Sequence, residues 1–303
     1  QNADLLISLG CRLNTQIAGS NLKSFAPKAK KIVVDIDNNE FKKNNGLKYE
    51  LKINLDLKDF FKKILPKLKN RKDYSKWINN FKVWKEKYPV VEEKYYRQNL
   101  KCNPYVFFKT LSELTGKNDV LIPDASANLI WAMQSFVING QKVFTALNHS
   151  PMGYSMPATI GAYLGAKNKN IVCTIGDGSM QMNIQELATI KHFNLPIKIF
   201  ILNNNGYGLI KQTQDTWLNS RRVGVDAGSD LAMPNLTKVA RAYGIKTCEI
   251  NNHNEMGANL KNILKSKHPI VCDVKVNETQ RVIPKLEFGR SIEDMSPRLS
   301  NSE

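Results

Sequence analysis

A strand, a glycine turn and a helix follow one another around residue 176, and this feature constrains the fold most. The apolar run Ile171–Ile175 ends at Gly176-Asp177-Gly178, and a helical pattern begins at Ile184. Such a turn presents backbone N–H groups and a helix N-terminus to a phosphate. Because Asp177 would repel a phosphate, its position in the turn indicates that a cation lies between the two.

A second apolar run supplies the rest of the predicted cation site. Residues Ile197–Leu202 lead into the polar turn Asn203–Gly208, of sequence NNNGYG. If the two runs form neighbouring parallel strands, Asp177 and Asn204 emerge side by side at the carboxyl ends. Mg²⁺ prefers oxygen ligands and takes few of them from protein, so these two side chains and the Gly206 carbonyl would suit it. The sequence therefore predicts a magnesium–diphosphate site.

Strand-like and helix-like patterns alternate regularly from residue 104 onward. The strand-like segments are Val120–Pro123, Val143–Leu147, Ile171–Ile175, Ile197–Leu202, Lys246–Ile250 and Ile270–Val276, and the helix-like segments are Tyr105–Leu114, Asn128–Phe136, Tyr154–Leu164, Ile184–His192, Leu236–Tyr243 and Met256–Leu264. This alternation is typical of a parallel sheet with helices on both faces and ligands at the carboxyl ends of its strands. We therefore predict an α/β fold with a doubly wound parallel sheet.

Two further strand patterns lie near the start of the chain. Asp4–Gly10 and Lys31–Asp37 are largely apolar and predict part of a second, Rossmann-like sheet. Arg12, after the first strand, can pair with a diphosphate, and Asp35 can accept hydrogen bonds from ribose hydroxyls. An ordinary strand-end ion pair would also explain these two residues, so both interpretations stay open.

These patterns divide the chain into four predicted segments. Residues 1–70 form part of a Rossmann-like domain, in which Asp56 predicts the N-cap of a helix. Residues 71–103 form a helical linker rich in lysine and aromatic residues. Residues 104–285 form the diphosphate-binding domain, and residues 286–303 form a C-terminal tail.

The sequence carries a net charge of +17, which raises nucleic-acid binding as an alternative. The lysines are spread over helix-like faces, with neither zinc-finger spacing nor an aromatic pair typical of RNA binding, so we prefer a solvated basic surface and no nucleic-acid partner.

No apolar run approaches a membrane span. The five cysteines include no CxxC pair, and we predict a cytoplasmic protein with reduced thiols and no membrane partner.

The stretch Gly176–Gln214 (GDGSMQMNIQELATIKHFNLPIKIFILNNNGYGLIKQTQ) resembles the thiamine diphosphate (ThDP)-dependent enzymes. Within them the chain is similar to the acetohydroxyacid (acetolactate) synthase group, with further matches from Met152 (MGYSMPATIGA) and over Ser291–Pro297 (SIEDMSP). The resemblance implies ThDP and Mg²⁺ as cofactors and a small-molecule 2-oxo acid as substrate. It also implies a homodimer or homotetramer, because ThDP in this family lies between subunits.

The resemblance assigns cofactor binding to particular residues. Met152 matches the apolar wedge that holds the rings of ThDP in a V-shape, although simple core packing would also explain a methionine there. The implied metal ligands are Asp177, Asn204 and Gly206. The whole implied set for ThDP is Ser150, Met152, Gly176, Asp177, Gly178, Ser179, Asn204, Gly206, Tyr207 and Gly208.

The resemblance implies that residues 1–70 are the C-terminal part of a Rossmann-like, FAD-type middle domain. Gly10, Arg12 and Asp35 match positions that bind FAD in the synthases. The following residues, Asn14-Thr15-Gln16, depart from the two acidic residues and arginine of the synthase pattern. FAD is therefore a candidate cofactor rather than an expected one.

The segment after the magnesium turn is predicted to set substrate choice, through Leu209 and Thr213. Acetohydroxyacid synthases have a tryptophan where this chain has Thr213, and losing that indole opens the acceptor side. The donor chemistry of a 2-oxo acid, with pyruvate the preferred donor, is compatible with this change. The acceptor is left open, and relatives of this kind include ligases acting on activated sugars.

The resemblance also implies a residue that the chain does not contain. The glutamate that activates ThDP belongs to an N-terminal pyrimidine-binding domain, and no acidic residue here matches it. We therefore expect the carboxyl-terminal portion of a longer enzyme, inactive by itself. Four functions follow for comparison: an acetolactate synthase-like carboligase, a simple 2-oxo acid decarboxylase, a ligase for a larger sugar-type acceptor, and a ThDP-binding half-subunit that needs a separate pyrimidine-domain chain.

Overall fold

The computed structural model describes residues 1, 3–43, 46–68, 73–98, 100–147, 149–166, 169–287 and 289–298, without the side chain of Gln16. Its contacts divide the chain into two compact units. Unit 1 comprises Gln1–Lys85 and Ile283–Glu303, and unit 2 comprises Glu86–Val282.

Unit 1 contains a parallel sheet of three strands in the order β1-β2-β3, with β1 at Leu5–Leu9, β2 at Lys30–Asp35 and β3 at Leu51–Asn54. Its described helices are α1 (Thr15–Ala18) and α2 (Leu57–Ile64), and α3 (Ser75–Lys87) contains the point at which the units divide. Short 3₁₀ turns occur at Leu22–Ser24, Asn38–Lys42 and Leu65–Lys67.

The start of α2 agrees with the sequence prediction, because the Asp56 side chain accepts a hydrogen bond from the Lys58 backbone N–H at 2.7 Å. Strand β2 ends at Asp35, two residues earlier than predicted. The reason is local: Asp37 instead caps the following 3₁₀ turn through the Asn39 N–H at 2.9 Å. Sequence analysis did not identify β3, whose four residues give almost no periodic signal.

Unit 2 contains strands and helices in nearly strict alternation. Its elements are α4 (Glu93–Tyr96), α5 (Pro104–Leu114), β4 (Asp119–Pro123), α6 (Ser126–Ser135), β5 (Lys142–Val143), α7 (Ser155–Gly165), β6 (Asn170–Gly176), α8 (Asp177–Met180), α9 (Glu186–His192), β7 (Lys198–Asn203), α10 (Gly208–Trp217), α11 (Leu236–Ala242), β8 (Lys246–Ile250), α12 (His253–Lys265) and β9 (Ile270–Lys275). Short 3₁₀ turns occur at Gln181–Asn183 and Ala227–Ser229.

The described strands of unit 2 form a six-stranded sheet in the order β5-β4-β6-β7-β9-β8, and all its pairs are parallel. The predicted α/β fold with a doubly wound parallel sheet is confirmed. The chain passes from β4 to β5 on one side and then to β6 on the other. The strand order therefore reverses at β4 and β6, and the crevice at their carboxyl ends is where such sheets bind ligands.

Two apolar layers cover the sheet, because alternate residues of its central strands point to opposite faces. Val172, Phe200, Leu202 and Val274 pack with α5, α6 and α12, whereas Ile171, Cys173, Ile199, Ile201 and Val271 pack with α7, α9 and α11. Each fully buried side chain of this size contributes about 1.5–3 kcal/mol. The double layer explains why these strands are nearly continuous apolar runs.

Two parts of unit 2 differ from the sequence prediction. The strand expected at Val143–Leu147 is limited to Lys142–Val143, because β5 is an edge strand that pairs with β4 alone. Helix α10 lies in a segment where no helix was predicted. Its glycine start and polar composition explain this.

The last described pair of strands belongs to unit 1, where β10 (Lys285–Leu286) and β11 (Met295–Ser296) pair antiparallel. Throughout the described residues, none of the helices combines the length and apolar character needed to cross a membrane.

Candidate functional site

A cleft opens at the reversal of strand order, lined by residues that follow β4, β5, β6 and β7. Many residues predicted from the sequence line it: Met152, Gly176, Asp177, Gly178, Ser179, Asn204, Gly206, Tyr207, Gly208 and Leu209. Ser150 and Thr213 are not among the lining residues. The turns after β6 and β7 therefore line the same cleft.

Asp177 lies at the junction between β6 and the short helix α8, and its side chain is buried. Its Oδ1 accepts the Gly178 N–H at 2.8 Å, and its Oδ2 accepts the Gly206 N–H at 3.0 Å. Burial raises the pKa of Asp177 to about 6; these N–H donors oppose the shift, whereas the charge of Asp273 adds to it. A cation bound beside this carboxylate would favour its charged form.

The turn after β7 brings its backbone against the neighbouring segment. A Cβ atom added to Gly206 would lie 2.3 Å from the Val225 carbonyl oxygen, so only glycine fits there. The same carbonyl accepts the Tyr207 N–H at 2.9 Å. Asn205 has a φ of +56°, a left-handed conformation that asparagine tolerates better than most residues. The turn is therefore held by the segment that contains Val225.

Two further close approaches occur here, one between the turns of Asp177 and Asn204 and one within the turn of Asn204. A Cβ atom added to Gly178 would lie 2.3 Å from Tyr207 Cε1, and one added to Gly208 would lie 2.3 Å from Asn204 Nδ2. The Tyr207 ring thus packs directly on the backbone of the Gly178 turn. The glycines in this part of the sequence allow two backbone segments to meet, which is what a diphosphate-binding cradle requires.

The Met152 loop is held by Asp124, a residue to which sequence analysis gave no role. Asp124 is fully buried after β4, and its carboxylate accepts the N–H groups of Gly153 at 3.0 Å and Ser155 at 2.8 Å. Ser150 has a φ of +43°, so the loop turns sharply before Met152. A buried carboxylate bound to two backbone N–H groups fixes the path of this loop.

Helix α6, which follows β4, also contributes lining residues outside the predicted cofactor-binding set. Asn128 is buried and lines the cleft, and its Nδ2 donates to the carbonyls of Asp124 at 3.2 Å and Thr174 at 2.9 Å. Its Oδ1 has no hydrogen-bond partner among the described residues. Ser126 and Trp131 complete this wall. A buried acceptor without a partner suits a site that receives a ligand.

The residues predicted to set substrate choice lie on α10. Leu209 lines the cleft, whereas the Thr213 hydroxyl donates to the Leu209 carbonyl at 3.0 Å within the helix. Thr213 is half-buried and is not placed in the cleft wall.

The candidate FAD residues lie in unit 1, at the carboxyl ends of two neighbouring strands. Gly10 follows β1 with a φ of +60°, and Asp35 ends β2 and is buried. Asp35 Oδ1 accepts the Asp37 N–H at 3.0 Å. Arg12 is exposed, and its Nε lies 3.8 Å from Glu40 Oε1, as in an ordinary ion pair.

The donor set of the cleft fits a hard cation with a diphosphate. One carboxylate, one amide and a glycine-rich backbone meet there, and the described residues contain no group of three or more His, Cys, Asp or Glu that could hold a metal ion. Softer metals such as zinc require such groups. Mg²⁺ instead takes one or two protein oxygens together with phosphate and water.

Two family profiles match this sequence. The thiamine pyrophosphate enzyme C-terminal TPP binding domain matches residues 124–274, and the thiamine pyrophosphate enzyme central domain matches residues 1–64. The chain belongs to the thiamine pyrophosphate (ThDP) enzyme family.

Individual relatives confirm the resemblance to the synthases. The chain is 32% identical to the acetolactate synthase large subunit of Porphyra purpurea, over 95% of this chain and 48% of that protein. It is 31% identical to the acetolactate synthase large subunit of Lactococcus lactis subsp. lactis, over 97% of this chain and 49% of that protein. It is 29% identical to the acetolactate synthase isozyme 1 large subunit of Escherichia coli, over 97% of this chain and 51% of that protein. The chain spans about half the length of these relatives.

Proposed function

We propose that the chain supplies the magnesium- and diphosphate-binding half of an enzyme that decarboxylates a 2-oxo acid, with pyruvate the preferred donor. The enzyme then joins the two-carbon unit to an acceptor carbonyl. The observation that carries this proposal is the meeting of Asp177, Asn204 and Gly206 with the glycine approaches at the reversal of strand order. The similarity to acetolactate synthases supports the type of reaction.

In this proposal Asp177, Asn204 and the Gly206 carbonyl hold Mg²⁺, and the N–H groups around Gly178 and Ser179 face the diphosphate. Bound ThDP supplies the electron sink that lets a 2-oxo acid lose CO₂. Met152 packs against the cofactor as an apolar wedge, and Asp124 fixes the loop that carries it. Leu209 and Trp131 line the cleft with apolar surface and limit access of water.

The proposed enzyme works as a homodimer or homotetramer, in which ThDP is completed by a pyrimidine-binding domain that carries the activating glutamate. That domain comes from a longer form of the same protein or, in the half-subunit alternative, from a separate chain. FAD binding near Gly10, Arg12 and Asp35 is a further part of the proposal, supported by their position after β1 and β2.

One observation favours a larger acceptor as a second candidate function. Thr213 turns its hydroxyl back to its own helix, and the residue is smaller than the tryptophan of the synthases. The resemblance assigns that indole to the acceptor side, where a threonine in its place would leave room for a sugar-type carbonyl substrate. A simple decarboxylase is the remaining alternative, in which a proton takes the place of the acceptor.

Product analysis tests these functions directly. The full-length protein is incubated with ¹³C-labelled pyruvate, ThDP and Mg²⁺, and the products are identified by NMR. We expect acetolactate, which would establish carboligation in spite of Thr213. Acetaldehyde as the only product would indicate a decarboxylase. Absence of turnover with ThDP bound would reject pyruvate as the donor and leave the cofactor site in place.

A further inference from the structure

An aspartate lies buried in β9, next to β7. Strand β7 ends in the turn Asn203–Gly208, which carries the proposed metal ligands Asn204 and Gly206 and is called the metal turn below. Asp273 is 3% exposed and pairs in register with Ile201 of β7. It lies on the same face of β9 as Val271, whose neighbours are apolar. Burying a carboxylate in such a layer is costly unless it is paired or hydrogen-bonded. The proposed function above leaves Asp273 without a role.

The contacts of Asp273 lead directly to the metal turn. Its Oδ2 accepts a hydrogen bond from Asn203 Nδ2 at 3.0 Å, and Asn203 Oδ1 accepts the Asn205 N–H at 3.0 Å. The Asn203 side chain thus links the two: its NH₂ group binds Asp273, and its carbonyl oxygen binds the backbone of the turn. The bonded N–H belongs to the residue between Asn204 and Gly206, the two proposed ligands that follow β7.

The neighbouring lysine does not by itself explain the buried aspartate. Lys275 Nζ donates to the same Oδ2 at 2.6 Å, but Lys275 is partly exposed and could form an ion pair with an aspartate at the surface. Oδ1 of Asp273 is buried and has no partner among the described residues. The link to Asn203 is therefore what distinguishes this carboxylate from an ordinary strand-end ion pair.

The backbone that receives this link is in an uncommon conformation. Asn205 has a φ of +56°, and a side chain that binds its N–H selects that conformation over extended alternatives. The Val276 N–H also donates to the Asn203 carbonyl at 2.8 Å, so the end of β9 fixes Asn203 through its backbone as well. The turn is thus held by Asp273 and Asn203 in addition to its contact with Val225.

We propose that Asp273 is a positioning residue that acts through Asn203 to preset the turn carrying the magnesium ligands Asn204 and Gly206. The inference rests on the proposed function, since it assigns Mg²⁺ to this turn. Residues that orient metal ligands from behind typically change metal affinity by about 10–100-fold when they are replaced.

Metal binding without turnover tests the inference. Mn²⁺, used as a paramagnetic probe for Mg²⁺, is titrated into the full-length protein with ThDP, and free Mn²⁺ is followed by electron paramagnetic resonance. In Asp273→Asn we expect the Mn²⁺ dissociation constant to rise by about 10–100-fold. Asn203→Ala should give a rise of similar size, and circular dichroism checks that each variant is folded.

The sheet offers a matched control at its opposite end. Asp119 of β4 accepts a hydrogen bond from Asn170 Nδ2 of β6 at 2.9 Å, which is the same pair of groups across neighbouring strands but far from the metal turn. Asp119→Asn should leave the Mn²⁺ dissociation constant within about twofold of wild type.

A double variant tests whether Asp273 acts through Asn203. If it does, the variant carrying both Asp273→Asn and Asn203→Ala binds Mn²⁺ about as weakly as either single variant, because the link is already lost. Additive losses would overturn the inference, and so would unchanged affinity in a folded single variant. If Asp273→Asn does not fold, Asn203→Ala alone decides. Failure of the wild type to bind Mn²⁺ with ThDP would reject the proposed function as well, which separates the two outcomes.

Discussion

The Asp177 carboxylate is costly to bury in the protein without ligands, and we propose that it binds Mg²⁺ in the protein with ThDP. Its carboxyl is buried, and its pKa is raised from 3.8 to about 6, chiefly by loss of contact with water. Folding therefore favours the neutral form. Protonated Asp177 therefore adds to the free energy of unfolding. This contribution is fully present below the unfolded-state pKa of 3.8 and is lost as the pH rises through about 6.

The first prediction concerns Asp177→Asn, which removes this titration. As the pH rises from about 4 to about 7, the melting temperature of the apo wild type should fall relative to that of Asp177→Asn. Mg²⁺ with ThDP should restore the wild type but not the variant, because only the carboxylate gains from a cation. A difference between the two proteins that is independent of pH would contradict the raised pKa.

The second prediction concerns Gly178, where a Cβ atom would lie 2.3 Å from the Tyr207 ring. Gly178→Ala should cost about 1–3 kcal/mol of stability by overpacking. It should also weaken ThDP binding at least about tenfold, because the turn and the ring must move apart. Denaturant unfolding and calorimetric titration of ThDP measure the two effects.

A control for Gly178 is Gly257, inside α12, where an added Cβ atom meets nothing within 4 Å. Gly257→Ala should raise stability by about 0.5–1 kcal/mol and leave ThDP binding unchanged. Equal ThDP affinity in both variants would show that the close approach of Gly178 to Tyr207 is not needed for the site.

Helix α10 is fixed by a side-chain amide that pairs with both backbone groups of one residue, as a neighbouring strand would. Gln212 is buried; its Oε1 accepts the Val282 N–H at 3.0 Å, and its Nε2 donates to the Val282 carbonyl at 3.2 Å. Nearby, Asp215 binds Arg222 at 2.8 Å and also pairs with Arg281, and these cations hold the pKa of Asp215 well below its usual range. The helix that presents Leu209 to the cleft is thereby tied down.

The third prediction follows from these contacts. Gln212→Ala leaves two buried backbone groups of Val282 without partners and should cost about 1–3 kcal/mol in denaturant unfolding. The exposed Gln185 provides the comparison, since Gln185→Ala should change stability by less than about 0.5 kcal/mol. A loss for Gln212→Ala as small as that for Gln185→Ala would show that α10 is held by other contacts.

Elements could be predicted from sequence where a single periodic signal dominated. The central strands of unit 2 are continuous apolar runs because helices cover both faces, and their positions were predicted to within one residue at most ends. Strand β3 and helix α10 escaped prediction. Their residues carry weak periodicity, and α10 depends on partners near Val282 that lie far along the chain.

At the scale of the whole molecule, the fold explains why two turns distant in sequence form one site. Parallel strands end at a common edge, so the residues after β4, β6 and β7 meet where the strand order reverses. The meeting of the turns after β6 and β7 was predicted from the sequence. The supporting roles of Asp124 and Asp273 were not: both are single polar residues in apolar surroundings, and only the three-dimensional arrangement shows what they contact.

The most direct test of the central claim is the metal dependence of ThDP binding. ThDP is titrated calorimetrically into the full-length protein with Mg²⁺, and again with a chelator, for wild type, Asp177→Asn and the distant control Asp119→Asn. We expect binding that requires Mg²⁺ in wild type and in Asp119→Asn, and no Mg²⁺-dependent binding in Asp177→Asn. Equally tight ThDP binding with the chelator, or in Asp177→Asn, would contradict the assignment of this cleft as a magnesium–diphosphate site.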